Sequence, residues 1–330
     1  MLSLFTCCIA ITVVALVAIV HGLQIPVLYE SNHMLIIDKP YGIAHHNDSR
    51  DQSPGILQLI RQQRHALENR ERLWGVHRLD KVTSGILVLA KDQTTATTLS
   101  KFFAQGKIKK LYIGMSSKKP KKKKQGWVSG DMVRSRRETW MLTKKQATDS
   151  TNFAKTRFFT AGMNARMSSP ATISSVPRTV VMFVPHTGKT HQLRVAAKSM
   201  GIALLGDPLY SDGSVGVNDG TESFPVPRTM LHASGISIPS ICDDSDNGSV
   251  NIWCEPPFFE EWYSTSNGND DANLSEEAAT FHNTVERLMT KHCEEAGILD
   301  AYKRRLYCNT FDVSSCCWNV FSAIDLIISA

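Results

Sequence analysis

Short, branched apolar runs bounded by turn residues alternate with two stretches of helical spacing, and that combination marks the chain as α+β. The strand runs are 27–30, 34–37, 86–90, 108–113 and 179–185, and the helical stretches are 53–70 and 94–105. With 330 residues, 42% of them hydrophobic and 21% charged, the composition is globular and the length suits one large domain or two small ones. Charge is unevenly spread: residues 1–240 carry 32 Lys and Arg against 15 Asp and Glu, and residues 241–330 carry 5 against 16. The front of the chain therefore suits a polyanion. The acidic remainder, 264–330, reads as a helical, solubilising C-terminal extension.

The chain opens with a leader over residues 1–22. Met1 to Val20 is charge-free and predominantly apolar, and His21-Gly22 offers a small residue for cleavage, so the segment reads as a signal peptide or short signal anchor. The usual positive n-region is missing. Such a leader points to an organelle, plastid or mitochondrion, with the secretory pathway or membrane anchoring as the other destinations. Val27 to Glu30 and Met34 to Ile37 are strands around a Ser31-Asn32 turn, and Asp38-Lys39-Pro40-Tyr41-Gly42 stops the second. From Ser53 to Arg70, Ile56, Leu57, Leu59 and Ile60 recur at helical spacing with Arg61, Arg64 and Arg70 outside, after a Ser53-Pro54 start. A second helix over 94–105 ends at Gly106. Phe158 to Pro177, rich in Ser, Ala and Gly, reads as a surface excursion, and Glu276 to Ala296 as a charged helix. The closing apolar segment, Val320 to Ala330, is too short to span a bilayer.

Chemistry concentrates between Val76 and Asp92. His77, Arg78, Asp80, Lys81, Thr83 and Ser84 crowd together, with Gly85, immediately before the wholly apolar run Ile86 to Ala90. A simple hairpin needs no such cluster. A carboxylate at the mouth of a buried strand, held by hydroxyls, N–H groups and cations, is suited to act as nucleophile or base. The plainer reading is an ordinary loop ion pair between Arg78 and Asp80. Further on, Lys101 to Lys124 holds ten lysines and no acid. Trp127, Arg134, Arg136, Arg137 and Trp140 follow closely, and basic residues interleaved with aromatics suit nucleic acid better than a merely solvated loop. A strand-loop-strand arm is expected here, with Lys118, Lys119, Lys121, Lys122, Lys123, Lys124, Arg136 and Arg137 on an RNA backbone. The eight cysteines contain no CxxC pair, so neither a zinc site nor a disulfide framework is indicated.

At least five segments, in order, resemble the RluA-type pseudouridine synthases. His77, Arg78, Leu79, Asp80, Thr83, Ser84, Gly85, Ala90 and Lys91 meet the family's HRLDxxTSGxxxxAK signature, and Asp38 to Gly42 meets its DKPxG. Tyr112 sits as in its KxY motif. Thr187 to Val195 is similar to TGRTHQIRV, with Lys189 for the usual arginine, and Gly206 to Tyr210 to GDPLYG, with Ser211 for the last glycine. Leu231-His232-Ala233 matches LHA, and Trp253 to Phe259 loosely matches the terminal PxPxxF. The likeness spans about residues 25 to 262, and little of the usual S4-type RNA-binding domain fits ahead of Asp38.

The resemblance implies a catalytic domain over 23–263, with a mixed, mainly antiparallel sheet flanked by helices and a basic cleft. It implies an isomerase that converts uridine in tRNA or rRNA to pseudouridine. Asp80 is then the catalytic residue, Arg194 the arginine that pairs with it, and Tyr112 the ring that stacks on the target base. Substrate-binding roles follow for Arg78, which fills the space the flipped base leaves, and for His77, Thr83, Lys39, His191, Gln192 and Leu231. Neither metal nor cofactor is called for, no protein partner is needed, and a monomer is expected. Whether Asp80 attacks C1′, attacks C6 or removes a sugar proton stays open. The rival is a catalytically silent RNA-binding or RNA-folding factor with the same basic cleft, which has no need of Asp80 and Arg194. A secreted protein binding glycans or membranes accounts for the leader but not for the ordered motifs.

Overall fold

The apolar run beside the polar cluster becomes the centre of the molecule. Ser84–Ala90 is buried at every position, because side chains alternating to both faces of the strand all find apolar cover. The computed structural model describes residues 24–47, 53–66, 72–120, 123–135, 138–143, 151–163, 178–211, 214–216, 223–226, 228–241, 248–258 and 271–310. In chain order the strands are β1 Val27–Glu30, β2 Met34–Lys39, β3 Trp74–Gly75, β4 Ser84–Ala90, β5 Lys109–Ser116, β6 Gln125–Arg134, β7 Trp140–Thr143, β8 Phe153–Met163, β9 Arg178–Pro185, β10 Ser214–Gly216, β11 Ser223–Pro225, β12 Leu231–Ile238 and β13 Val250–Trp253. Among the described residues the helices are α1 Ile56–Ala66, α2 Gln93–Ala104, α3 Gln192–Ser199, α4 Asp271–His292 and α5 Ala296–Thr310.

Eleven strands form one sheet in the order β1-β2-β4-β12-β5-β9-β8-β6-β7, with β3 added to β4 and β13 to β12. Only the β4–β12 pairing is parallel among the described residues, so the sheet is mixed and mainly antiparallel. That junction depends on Gly85: its φ is +107°, and a Cβ would meet the Ala233 carbonyl oxygen at 2.5 Å. It brings the 80s turn and the segment around His232 together. α2 starts where Asp92 caps it, accepting from the Thr95 N–H at 2.7 Å and the Thr95 hydroxyl at 2.6 Å.

Two expectations fail here. The supposed surface excursion from Phe158 begins inside β8, where Phe158, Phe159 and Met163 are buried; residues 164–177 lie outside the described residues, as do residues 1–22, the expected leader. The acidic extension is not a solvated tail. Phe281, Val285, Leu288 and Met289 of α4, with Ile298, Ala301 and Tyr302 of α5, share a core with Leu111, Ile113, Met115, Val180 and Met182 of β5 and β9. Each buried side chain of this size contributes about 1.5–3 kcal/mol of transfer free energy before ordering costs are subtracted. On the other face, Leu193 and Ala197 of α3 lie against Phe158, Val181 and Phe183. Among the described side chains of these helices, Glu286, Arg287, Lys291, Asp300, Lys303, Arg304 and Arg305 are exposed. Among the described residues no helix is long and apolar enough to cross a membrane.

Candidate active site

The 80s turn is tied down by its own backbone. The Thr83 N–H donates to the Asp80 carbonyl at 3.0 Å, and the Gly42 N–H to the Lys81 carbonyl at 2.9 Å. These bonds hold Asp80 at the wall of a cavity of about 550 Å³, lined also by His77, Arg78, Thr83, Lys110, Tyr112, His186, Lys189, His191, Arg194 and Leu231. A cavity of this size suits a nucleotide. The Asp80 side chain keeps 18% of its surface exposed, and its ion partners are Arg194 Nη1 at 3.4 Å and His191 Nε2 at 4.0 Å. Arg78 is exposed and is not among those partners, so the plain loop pair does not form.

Arg194 enters from the first turn of α3, behind His191, whose φ of +58° bends the chain into the helix. Its guanidinium is committed elsewhere than expected. Nε and Nη2 donate to the two carboxylate oxygens of Asp207, each at 2.8 Å, and only Nη1 is left for Asp80. Asp207 is fully buried, and its Oδ1 also accepts the N–H groups of Leu209 and Tyr210. Gly206 makes the tight turn before it, with φ +66° and its Cα close against the Arg228 carbonyl. Burial opposes the Arg194 charge, but the Asp207 bond and the field of both carboxylates hold its pKa above the ordinary value. The result is an arginine fixed by one aspartate and presented to another.

Hydrogen-bond logic assigns the state of His191. The Trp140 N–H donates to the Tyr210 hydroxyl at 2.9 Å, leaving that hydroxyl to donate to His191 Nδ1 at 2.9 Å. A neutral imidazole then carries its proton on Nε2, facing Asp80. Burial lowers the His191 pKa, with the Asp80 charge pulling the other way. Tyr112 stays a phenol at neutral pH, because burial and then the Asp80 charge push its pKa well above the ordinary range. It pairs with Ala233 on one side and Phe183 on the other.

Three expected substrate-binding residues have side-chain hydrogen bonds within the protein, and two of them, His77 and Gln192, also line the cavity. Lys39 does not line the cavity: it is fully buried, and Nζ donates to the carbonyls of Pro40 at 2.7 Å and Ile43 at 2.9 Å. Burial, helped by Arg228, lowers its pKa to about 7. Gln192 accepts from the Thr187 hydroxyl and the Lys189 N–H and donates to the Lys155 carbonyl and the Thr156 hydroxyl, so both ends of its amide are bound within the protein. His77 lines the cavity, but its Nε2 accepts the Val88 N–H at 2.9 Å and its ring stacks on Phe103. Burial, then Lys110, brings its pKa down to about 3, so it is neutral. Thr83 and Leu231 are 3% and 2% exposed and shape the cavity wall.

The lysine run joins β5 to β6, and Lys118, Lys119, Lys123 and Lys124 are exposed there. None of these four lines the cavity. β5 ends about 20 Å beyond Lys110 at strand rise. Lys121, Lys122, Arg136 and Arg137 lie outside the described residues. The positive charge at the cavity comes from Arg78, Lys110, Lys189 and Arg194. Sequence reasoning passed over Lys110, Asp207 and Tyr210 as site residues; an acid flanked by Gly206 and Pro208, with no polar neighbour, was the available sign for Asp207. The structure also gathers ligand-type atoms of Asp38, His232 and Cys254 within 4.8 Å of one another. Lys39 and Arg228 act on these groups, and the Arg228 charge opposes a divalent ion there.

Residues 33–199 match the family model described as RNA pseudouridylate synthase. An uncharacterized RNA pseudouridine synthase of Haemophilus influenzae is 36% identical over 240 residues, covering 73% of this chain and 91% of the relative. A ribosomal large subunit pseudouridine synthase C of Buchnera aphidicola is 30% identical, covering 64% of this chain and 61% of its own length. A ribosomal large subunit pseudouridine synthase D of Nitrosomonas europaea is 27% identical, covering 71% and 62%. The chain thus spans less than two thirds of these two ribosomal relatives. Among solved structures, human RNA pseudouridylate synthase domain containing 4 shares the fold with a TM-score of 0.52 at 21% identity, covering 78% of this chain and 93% of that one. Human domain containing 1 does so with 0.52 at 23%, covering 78% and 95%. A motif-bearing sheet of this topology, an aspartate at the cavity wall and a family match over half of the chain have one meaning: the chain belongs to the RNA pseudouridine synthases, an isomerase family that acts on RNA.

Proposed function

We propose that this protein flips a uridine of tRNA or rRNA into the Asp80 cavity and isomerises it by an aspartate-dependent break and re-formation of the glycosidic bond. The ribosomal names of two relatives favour rRNA. The observation that carries the reading is the incomplete coordination of Asp80, whose nearest cation is 3.4 Å away and which faces a nucleotide-sized cavity. A uracil must leave its stack to reach such a site. Tyr112 then packs on the ring, Arg78 occupies the space the base left, and Arg194 and His191 hold the carboxylate toward the sugar or the ring. The N1–C1′ bond breaks, the uracil turns, C5 bonds to C1′, the C5 proton leaves and N1 is protonated. Atoms balance without an outside reactant.

The test is to map pseudouridines by carbodiimide modification in RNA from cells lacking the protein, restored with wild type or with Asp80→Asn. One or more sites should vanish in the deficient cells, return with wild type and stay absent with the variant. An unchanged map, or restoration by the variant, overturns the proposal.

A further inference from the structure

Of the large hydrophobic side chains left exposed among the described residues, Val27, Trp127, Val133, Met141 and Leu209, the aromatic one is Trp127. It is 47% exposed and belongs to none of the core clusters. Its neighbour Val128 packs on the α3 side of the sheet, so strand alternation turns the indole to the other face. There it pairs with Arg157 across β6 and β8. Lys155 Nζ lies 4.5 Å from the ring centroid and Arg157 Cζ 5.6 Å. Lys155 is exposed and forms no ion pair among the described residues. Arg157 is steadied by Glu294 at 2.6 Å, and Glu295, 3.9 Å from Lys109, acts on the neighbouring His186. His186 connects the surface to the active site: its ring is 4.8 Å from the indole, and it also lines the Asp80 cavity.

Exposed cation–π contacts of this kind are worth about 0.5–1 kcal/mol each, too little to account for an indole held in water. An exposed aromatic beside a cation without an ion pair, here Lys155, is instead the arrangement that takes a nucleotide, the base on the ring and the phosphate on the cation. We propose that Trp127 is a stacking platform for an unpaired base flanking the target uridine, with Lys155 and Arg157 on the adjoining phosphates. This rests on the reading that the protein modifies RNA. His186 marks the route of the strand from the cavity over the end of β9.

The test uses the full chain and two probes of equal length and charge, an oligouridylate of about twelve nucleotides and its abasic counterpart. Trp127→Ala should weaken oligouridylate binding about tenfold and leave the abasic probe unchanged. Trp127→Phe should restore most of the loss, and Trp127→Leu, which keeps apolar bulk without a π face, should not. The Leu variant keeps the test valid if the Ala variant melts early. Unchanged binding by Trp127→Ala, equal losses on both probes, or rescue by Leu as good as by Phe overturns the platform. Tritium release from [5-³H]uridine RNA by wild type is measured in parallel. Its absence refutes the isomerisation reading and leaves the base-dependent binding standing by itself.

Discussion

Two carboxylates in this molecule sit beside an arginine and a second basic side chain, and they are built for opposite ends. Glu30 is saturated: Arg64 donates to its two oxygens at 3.1 and 2.7 Å, and Lys91 reaches it at 2.6 Å. The Arg64 bonds, above all, hold its pKa at about 2 despite burial. Asp80 has looser company, at 3.4 and 4.0 Å, because the arginine beside it is already forked onto Asp207. A carboxylate whose lone pairs are filled by the protein is structural. One whose lone pairs are left facing a cavity is available to a substrate, and the buried Arg194–Asp207 pair allows a charged partner to stand near it without closing over it.

The largest expected effect on stability comes from breaking the support. Asp207→Asn leaves a buried guanidinium without its counter-charge and should cost about 3–5 kcal/mol in denaturant unfolding, with catalysis lost through misplacement of Arg194. Glu30→Gln comes next, at about 1 kcal/mol at pH 7, since Glu30 is partly exposed. The sign of its pH dependence is definite. The folded pKa of about 2 lies below the ordinary 4.5, so this contribution is complete above pH 4.5 and fades as the pH falls toward 2. Across that window wild type and Glu30→Gln should converge in stability. The smallest effect belongs to the distal lysines: exchanging Lys118, Lys119, Lys123 and Lys124 for Gln should leave melting unchanged and flatten the salt dependence of RNA binding.

The same contrast explains what was legible in the chain. Ile86 to Ala90 was readable as a strand because a run apolar on both faces has few other homes. β8 was missed because Lys155 and Arg157 alternate with its buried residues and a Ser/Ala/Gly stretch follows. α4 was read as a helix, but its packing was not foreseen because net charge was counted over a segment, which hides a stripe such as Phe281, Val285, Leu288 and Met289. At the site, the motifs located Asp80, Tyr112 and Arg194 on one cavity. They could not tell residues whose polar atoms are open to a substrate from residues whose polar atoms are used by the protein. Lys39, His77 and Gln192 are polar and lie in the motifs, yet their hydrogen bonds end on the protein, a distinction that exists only in three dimensions.

The most direct test of the central claim, that Asp80 is held unsaturated for chemistry, is Asp80→Asn measured three ways: tritium release from [5-³H]uridine RNA, filter binding and thermal unfolding. The substitution keeps the side chain's shape and removes its charge and its second acceptor oxygen. Tritium release should fall by at least ~10³-fold, roughly 4 kcal/mol of transition-state stabilisation, while RNA affinity and unfolding stay close to wild type. Retained tritium release, or a loss of stability as large as that of Asp207→Asn, would contradict the account and make Asp80 another structural carboxylate.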